Sequence, residues 1–102
     1  MTIAITGGTG FVGRAVIDRA LERNVPLRAL TRAQQPASSG VEWVAGDLAD
    51  RRALKKLVKG AEAVIHIAGL TNAPDAAAFE EGNVGGTLAL IEAALTAGVP
   101  RF

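Results

Sequence analysis

Thr6-Gly7-Gly8-Thr9-Gly10-Phe11-Val12-Gly13 follows directly on the short apolar run Ile3-Ala4-Ile5 and opens a stretch with helical spacing. Gly8, Gly10 and Gly13 fit the G-x-G-x-x-G pattern. In that pattern one glycine makes a tight turn, one lets backbone approach a pyrophosphate, and one lets the helix pack close to the strand. A bare glycine triplet is weak evidence, but here it sits between a strand and a helix, the context that gives it meaning. The N-terminus of such a helix offers free N–H groups and a positive dipole end to a phosphate. Gly7, Gly8, Thr9, Gly10, Phe11, Val12 and Gly13 are therefore the candidate phosphate-binding residues.

Outward from this turn, Val12, Val16, Ala20 and Leu21 recur at helical spacing, with Arg14, Asp18, Glu22 and Arg23 on the other side. The pattern predicts a helix over Gly10–Arg23, stopped by Asn24 and Pro26. Leu27–Thr31 reads as a second strand, on which Arg28 is expected to pack its stem and hold its head in water. Gln34–Gly40 is a loop by composition, and Val41–Ala45 is a third strand. A helix is predicted over Asp50–Lys59, with Leu54, Leu57 and Val58 facing inward and Arg51, Arg52, Lys55, Lys56 and Lys59 wet. Ala63–Ala68 is a fourth strand, apolar on both faces and so expected to lie centrally. A loop with Asn72 and Pro74 precedes a long helix to Ala97, whose stripe is read as Val84, Leu88, Ile91 and Leu95, with Gly98 as its stop.

This order calls for an α/β fold, a doubly wound parallel sheet of the Rossmann type with right-handed crossovers. The expected strand order is 3-2-1-4, with a ligand crevice between strands one and four. Val99-Pro100-Arg101-Phe102 looks like the approach to a fifth strand. With the chain ending there, strand four is expected to form an exposed edge and half of the last helix's stripe to lack a cover. Association with another copy or a partner is the expected remedy.

Composition narrows the classes. A chain of 102 residues is one small domain or part of a larger protein, and the whole of 1–102 reads as one dinucleotide-binding domain. Hydrophobic residues at 49% with 21% charged exclude a disordered chain. A net charge of +1 supplies no electrostatic reason to invoke nucleic acid or a membrane surface. The absence of cysteine excludes disulfides and thiolate metal sites, and no metal cluster is read from the remaining residues. The apolar run Ala63–Leu70 is broken by His66 and is too short to span a bilayer. No secretory signal precedes the strand that begins near Thr2, so a cytoplasmic location is expected.

The end of the second strand reads the cofactor. An acid there would bind the ribose 2′-hydroxyl of NAD, whereas a basic residue suits the 2′-phosphate of NADP. The sequence has Leu30-Thr31-Arg32 and no acid until Glu42. Arg32 is the candidate phosphate clamp and Thr31 a hydroxyl donor, which favours NADP over NAD. The plain alternative is that Arg32 is a solvated loop residue.

Taken together, these motifs resemble the short-chain dehydrogenase/reductase superfamily, in its extended or atypical branch, the NAD-dependent epimerase/dehydratase family. The resemblance rests on Thr6–Gly13, Gly46-Asp47-Leu48 after strand three, Val64-Ile65-His66-Ile67-Ala68-Gly69 on strand four, and Asn83-Val84-Gly85-Gly86-Thr87 at the last helix. It implies that Asp47 accepts a hydrogen bond from the adenine amino group and that Leu48 offers its backbone N–H to the ring. It also implies that Ala68 and Gly69 pass the ribose and nicotinamide by backbone. Asn83 would steady the cofactor side of the site or a bound water, unless it simply starts a helix. His66 is expected to pack in the core rather than to act in catalysis.

The family's acid–base machinery is a Tyr-x-x-x-Lys pair with a Ser or Thr after strand five. The chain has no tyrosine, its lysines lie within 55–59, and its serines are Ser38 and Ser39. No catalytic residue is therefore assigned. The expected role is the cofactor half of a longer oxidoreductase or epimerase that moves a hydride between nicotinamide C4 and a substrate carbon bearing oxygen. The rival is a non-catalytic Rossmann module that senses NADP(H) or binds a partner. A third, weaker reading is a doubly wound domain for a flavin or a mononucleotide.

Overall fold

Ile3, Ala4 and Ile5 carry no polar side chain to turn toward water, and they form the middle of the sheet. In the computed structural model, which describes residues 1–67 and 84–102, strand β1 (Ile3–Thr6) has a parallel neighbour on each side. Strands β2 (Leu27–Thr31), β3 (Val41–Ala45) and β4 (Ala63–His66) complete a sheet in the order β3-β2-β1-β4, all parallel. This is the doubly wound order expected from the sequence. Ile3 stands opposite Leu27 on one side and Ala63 on the other, and Thr6 stands opposite His66.

Side-chain alternation along the strands sorts the core into two layers. On one face Ala4, Leu30, Val44 and Val64 meet helix α2 (Arg51–Val58), through Ala53, Leu54, Leu57 and Val58, and helix α3 (Gly86–Ala97), through Leu90 and Ala94. On the other face Ile5, Leu27, Ala29 and Val41 meet Ile17 of helix α1 (Phe11–Glu22). Helix α2 starts as its sequence requires: Asp50 accepts a hydrogen bond from the Ala53 N–H at 3.0 Å and caps the first turn.

Four expectations about burial are corrected. In α1 the buried positions are Gly13 and Ile17, with Val16, Ala20 and Leu21 half-buried, while Val12 points outward. In α3 the buried face is Gly86, Leu90 and Ala94, flanked by half-buried Ala89 and Ala93; Val84, Leu88 and Leu95 are exposed. Helix α3 is apolar nearly all round, so spacing alone cannot choose its inward face. Small residues choose it, because they let the helix come close: a Cβ on Gly86 would stand 2.9 Å from Leu48 Cδ1. Strand β4 is not buried on both faces as its apolar run suggested, since Ile65 is 36% exposed. Beyond it lies one parallel bridge to Arg101, whose carbonyl accepts from Val64 N at 2.9 Å.

Arg28 is the fourth correction. Its head does not reach into water but turns under α2, where Nη1 donates to the carbonyls of Lys59 at 2.6 Å, Lys56 at 3.2 Å and Leu57 at 3.2 Å. Those carbonyls are the unsatisfied acceptors that every helix C-terminus leaves. Arg28 Nε lies 3.5 Å from Glu42 Oε1 on the adjacent strand, an ion pair without the alignment of a hydrogen bond.

Candidate functional site

The carboxyl ends of β1 and β2 and the segments just after β3 and β4 enclose a crevice of about 620 Å³. Gly7 and Thr9 to Gly13 form one wall. Leu30, Thr31 and Arg32 form the second, Gly46 to Ala49 the third, and Ile67 closes the β4 side. Open parallel sheets bind ligands in this place, outside the carboxyl ends of the strands where the winding reverses.

The glycine wall is held from behind. Gly10 N–H donates to the Gly7 carbonyl at 3.2 Å, and Arg14 Nε donates to the Thr9 carbonyl at 2.9 Å. Gly13 lies against this turn so closely that a Cβ there would be 1.8 Å from Gly7 O and 2.6 Å from Gly8 Cα. Gly8 is buried behind the wall, against Ile17. Helix α1 begins at the crevice with Gly10 as its N-cap, no side-chain cap bond and no acid in its first turn. Its N–H groups and dipole therefore face the crevice with no acid from the helix's own first turn competing for them. Phe11 is 95% exposed and Val12 55%.

The opposite wall is tied together by Gly46 N–H, which donates to the Thr31 carbonyl at 2.9 Å. Gly46 has φ +148°, and a Cβ on it would be 2.4 Å from Ala53 Cβ, so both backbone and space require glycine. Asp47 Oδ1 accepts from Ala49 N–H at 2.9 Å, and its carbonyl accepts from Asp50 N–H at 3.0 Å. This turn presents Asp47 exposed on the lip while Leu48 packs back against the core. Thr31 is buried, and its hydroxyl donates to the Ala33 carbonyl at 2.6 Å. Arg32 is exposed on the lip, with no hydrogen bond or ion pair among the described residues.

Ten of the candidate residues thus line one crevice and Gly8 backs it. Ala68, Gly69 and Asn83 lie outside the described residues. Sequence reasoning missed Leu30, Gly46, Ala49 and Ile67 as lining residues and Arg14 as a brace. The strand-end rule points to Leu30 and Ile67, since both stand at carboxyl ends next to residues already chosen.

His66 is a hydrogen-bonded bridge, not the packed core residue expected. Its Nδ1 is 2.6 Å from Thr6 Oγ1, its Nε2 is 2.8 Å from Thr87 Oγ1, and its ring lies 6.4 Å from that of Phe102. Thr6 Oγ1 also accepts from Ile67 N–H at 3.2 Å. The neutral ring, with one donor and one acceptor nitrogen, thereby joins β1 to the first turn of α3. Burial disfavours the charged form and lowers the His66 pKa below its ordinary 6.5. The unfolded chain then binds the proton more readily. The contribution to stability is complete above pH 6.5 and is lost as pH falls from 6.5 through the folded value. Thermal melts between pH 7.5 and 5 should show this extra slope, and His66→Gln should flatten it. Parallel profiles for the two proteins would refute the account.

With this geometry in view, comparison with known proteins decides the kinship. Residues 3–102 match the NAD dependent epimerase/dehydratase family. The chain belongs to that family. Among curated relatives of this epimerase/dehydratase chain is a ceramide reductase of Caulobacter vibrioides, 41% identical over 109 residues that cover 98% of this chain and 32% of the relative. The chain spans about a third of the length of the curated relatives it matches. Among solved structures, a short-chain dehydrogenase/reductase superfamily protein from Agrobacterium tumefaciens with bound NAD superposes with a TM-score of 0.86. It is 36% identical, over 100% of this chain and 31% of that one. A point mutant of uronate dehydrogenase from the same organism, complexed with NAD, gives 0.81 at 30% identity, over 95% and 37% of the two chains. No helix among the described residues is long and apolar enough to cross a membrane.

Proposed function

We propose that this chain is the cofactor-binding part of an oxidoreductase or epimerase and that it prefers NADP(H). The observation that carries the reading is the N-terminus of α1, which has no side-chain cap and opens on a crevice lined by Gly7, Gly10 and Gly13. That cradle suits an anionic pyrophosphate in both charge and room. Family membership, and relatives whose structures hold NAD, support the same class of ligand.

In this reading Gly7 to Gly13 receive the pyrophosphate by backbone. Asp47 and the backbone N–H of Leu48 hold the adenine, and Ala68, Gly69 and Asn83 serve the nicotinamide side. The dinucleotide supplies the hydride donor or acceptor. The residues of this chain bind and orient it. With no tyrosine in the sequence, none of them carries the family's tyrosine-based proton transfer.

Arg32 sets the preference. The end of β2 offers no carboxylate to a ribose 2′-hydroxyl, and the Arg32 guanidinium on the lip has no partner among the described residues. Pairing with a 2′-phosphate contributes roughly 1.5–3 kcal/mol, a preference for NADP(H) of about ten- to one-hundred-fold. Thr31 is the weaker candidate, because its hydroxyl proton is already given to Ala33. Titration with NADPH and NADH, at low and high salt and with Arg32→Ala, tests the assignment. The preference should shrink with salt and vanish in the variant. Equal affinities in the parent protein, or a preference that survives Arg32→Ala, would make NAD the better assignment.

A further inference from the structure

Five of the eleven basic side chains, Arg51, Arg52, Lys55, Lys56 and Lys59, fall within nine residues that hold no acid. All five are exposed. Arg51, Lys55 and Lys59 recur at every fourth position, so they stand about 6 Å apart along one edge of α2 and its C-cap. This edge forms one wall of a groove of about 370 Å³ between α2 and α3. The facing side is built on Ala89, Ala93 and Ala97, also every fourth residue, flanked by Glu92 and Thr96, with Leu54 between the helices. Arg51 reaches Glu92 across the groove at 3.6 Å, while Lys55 and Lys59 have no acidic partner among the described residues.

We infer that this groove is a docking site for an acidic amphipathic helix of a protein partner. Two parallel rows fit such a helix, one cationic and one of small apolar side chains. Carboxylates at every fourth position would meet Arg51, Lys55 and Lys59, and the adjoining apolar stripe would settle on the alanines, whose small side chains permit close approach. A flat anionic bilayer fits less well, since it would engage Arg52 and Lys56 equally and leave the concave floor unfilled. A second copy of the chain offers no acidic helix among the described elements. Helix α1 sets Asp18 and Glu22 among Arg14 and Arg19, with Glu22 3.4 Å from Arg19, and α3 has only Glu92. The groove shares no lining residue with the crevice, so this inference stands apart from the dinucleotide reading.

The probe is a fluorescent synthetic helical peptide with glutamate at every fourth position and a leucine stripe beside it, titrated by anisotropy against the protein. Saturable binding is expected, and the Lys55→Glu/Lys59→Glu variant should weaken it by about tenfold or more. The control Arg52→Glu/Lys56→Glu makes the same charge change on the same helix and should alter affinity by less than about threefold. Ala93→Met fills the floor without touching a charge and should also cost about tenfold; Ala97→Met replaces it if circular dichroism shows that Ala93→Met disturbs the fold. NADPH affinity should be unchanged in all of them. Absence of peptide binding overturns the inference, as does equal weakening by the two charge reversals or indifference to the filled floor. Binding to phosphatidylserine-rich vesicles that depends on Arg52 and Lys56 would assign the face to a membrane surface instead, and would also overturn it.

Discussion

Gly13→Val is expected to leave no folded, dinucleotide-binding protein. Glycine inside a helix ordinarily costs up to about 1 kcal/mol relative to alanine, so on propensity alone a larger residue in α1 would stabilise. The site reverses the sign. Even the first added carbon would stand 1.8 Å from Gly7 O and 2.6 Å from Gly7 C and Gly8 Cα, all of them backbone atoms anchored at the end of β1. Neither side can yield without moving α1 off the sheet or breaking the turn. Overpacking of this kind costs roughly 3 kcal/mol or more, a large share of the ~5–15 kcal/mol that a domain has in total. Denaturant unfolding of Gly13→Ala and Gly13→Val, beside Gly10→Ala, is the measurement. Gly10→Ala should fold normally, because its Cβ would meet only Gly7 O at 3.5 Å. A Gly13→Val protein with parental stability would mean that the close helix–turn contact is not what holds α1 in place.

Arg28→Ala should be the other severe change. One guanidinium nitrogen serves three carbonyls at the end of α2 and sits where the helix dipole is most negative. Charge-assisted hydrogen bonds are worth roughly 1.5–3 kcal/mol apiece at best. Shared on one nitrogen and partly solvated, the set is expected to contribute about 2–4 kcal/mol in all. Urea unfolding should show a lower midpoint with unchanged slope. Arg28→Lys should recover only part of the loss, since an ammonium lacks the planar fork. A change under about 1 kcal/mol in Arg28→Ala would show that water can cap α2 equally well.

The same residue shows where sequence reading runs out. The strand order, the glycine turn and the inward face of α2 were legible, because each is written locally: Ile3–Ile5 in a run, Gly8, Gly10 and Gly13 at fixed spacing, Leu54, Leu57 and Val58 opposite a row of cations. Arg28 was misread because its partners are carbonyls some thirty positions along the chain, and backbone acceptors leave no trace in residue identity. His66 was misread for a related reason. A histidine amid apolar residues looks like core until the sheet brings Thr6 and the helix brings Thr87 to its two nitrogens. In α3 the error had the opposite origin. Apolar residues on every side left the choice of face to shape, and shape favoured Gly86 and Ala94 over the larger Leu88 and Leu95.

The placement of β1 between β2 and β4 has a consequence for biosynthesis. β1 leaves the ribosome first and can pair with β2 as soon as Leu27 has emerged, but its other side waits for Ala63. At roughly 5–20 residues per second the interval is on the order of seconds, far longer than a helix or a short loop needs to form. During translation one edge of the most apolar strand therefore stands open while α1 and α2 are already available to pack. Synonymous codons between Leu27 and Ala63 set how long that edge is bare. Slowing them should lower the yield of soluble protein without altering a single residue of it.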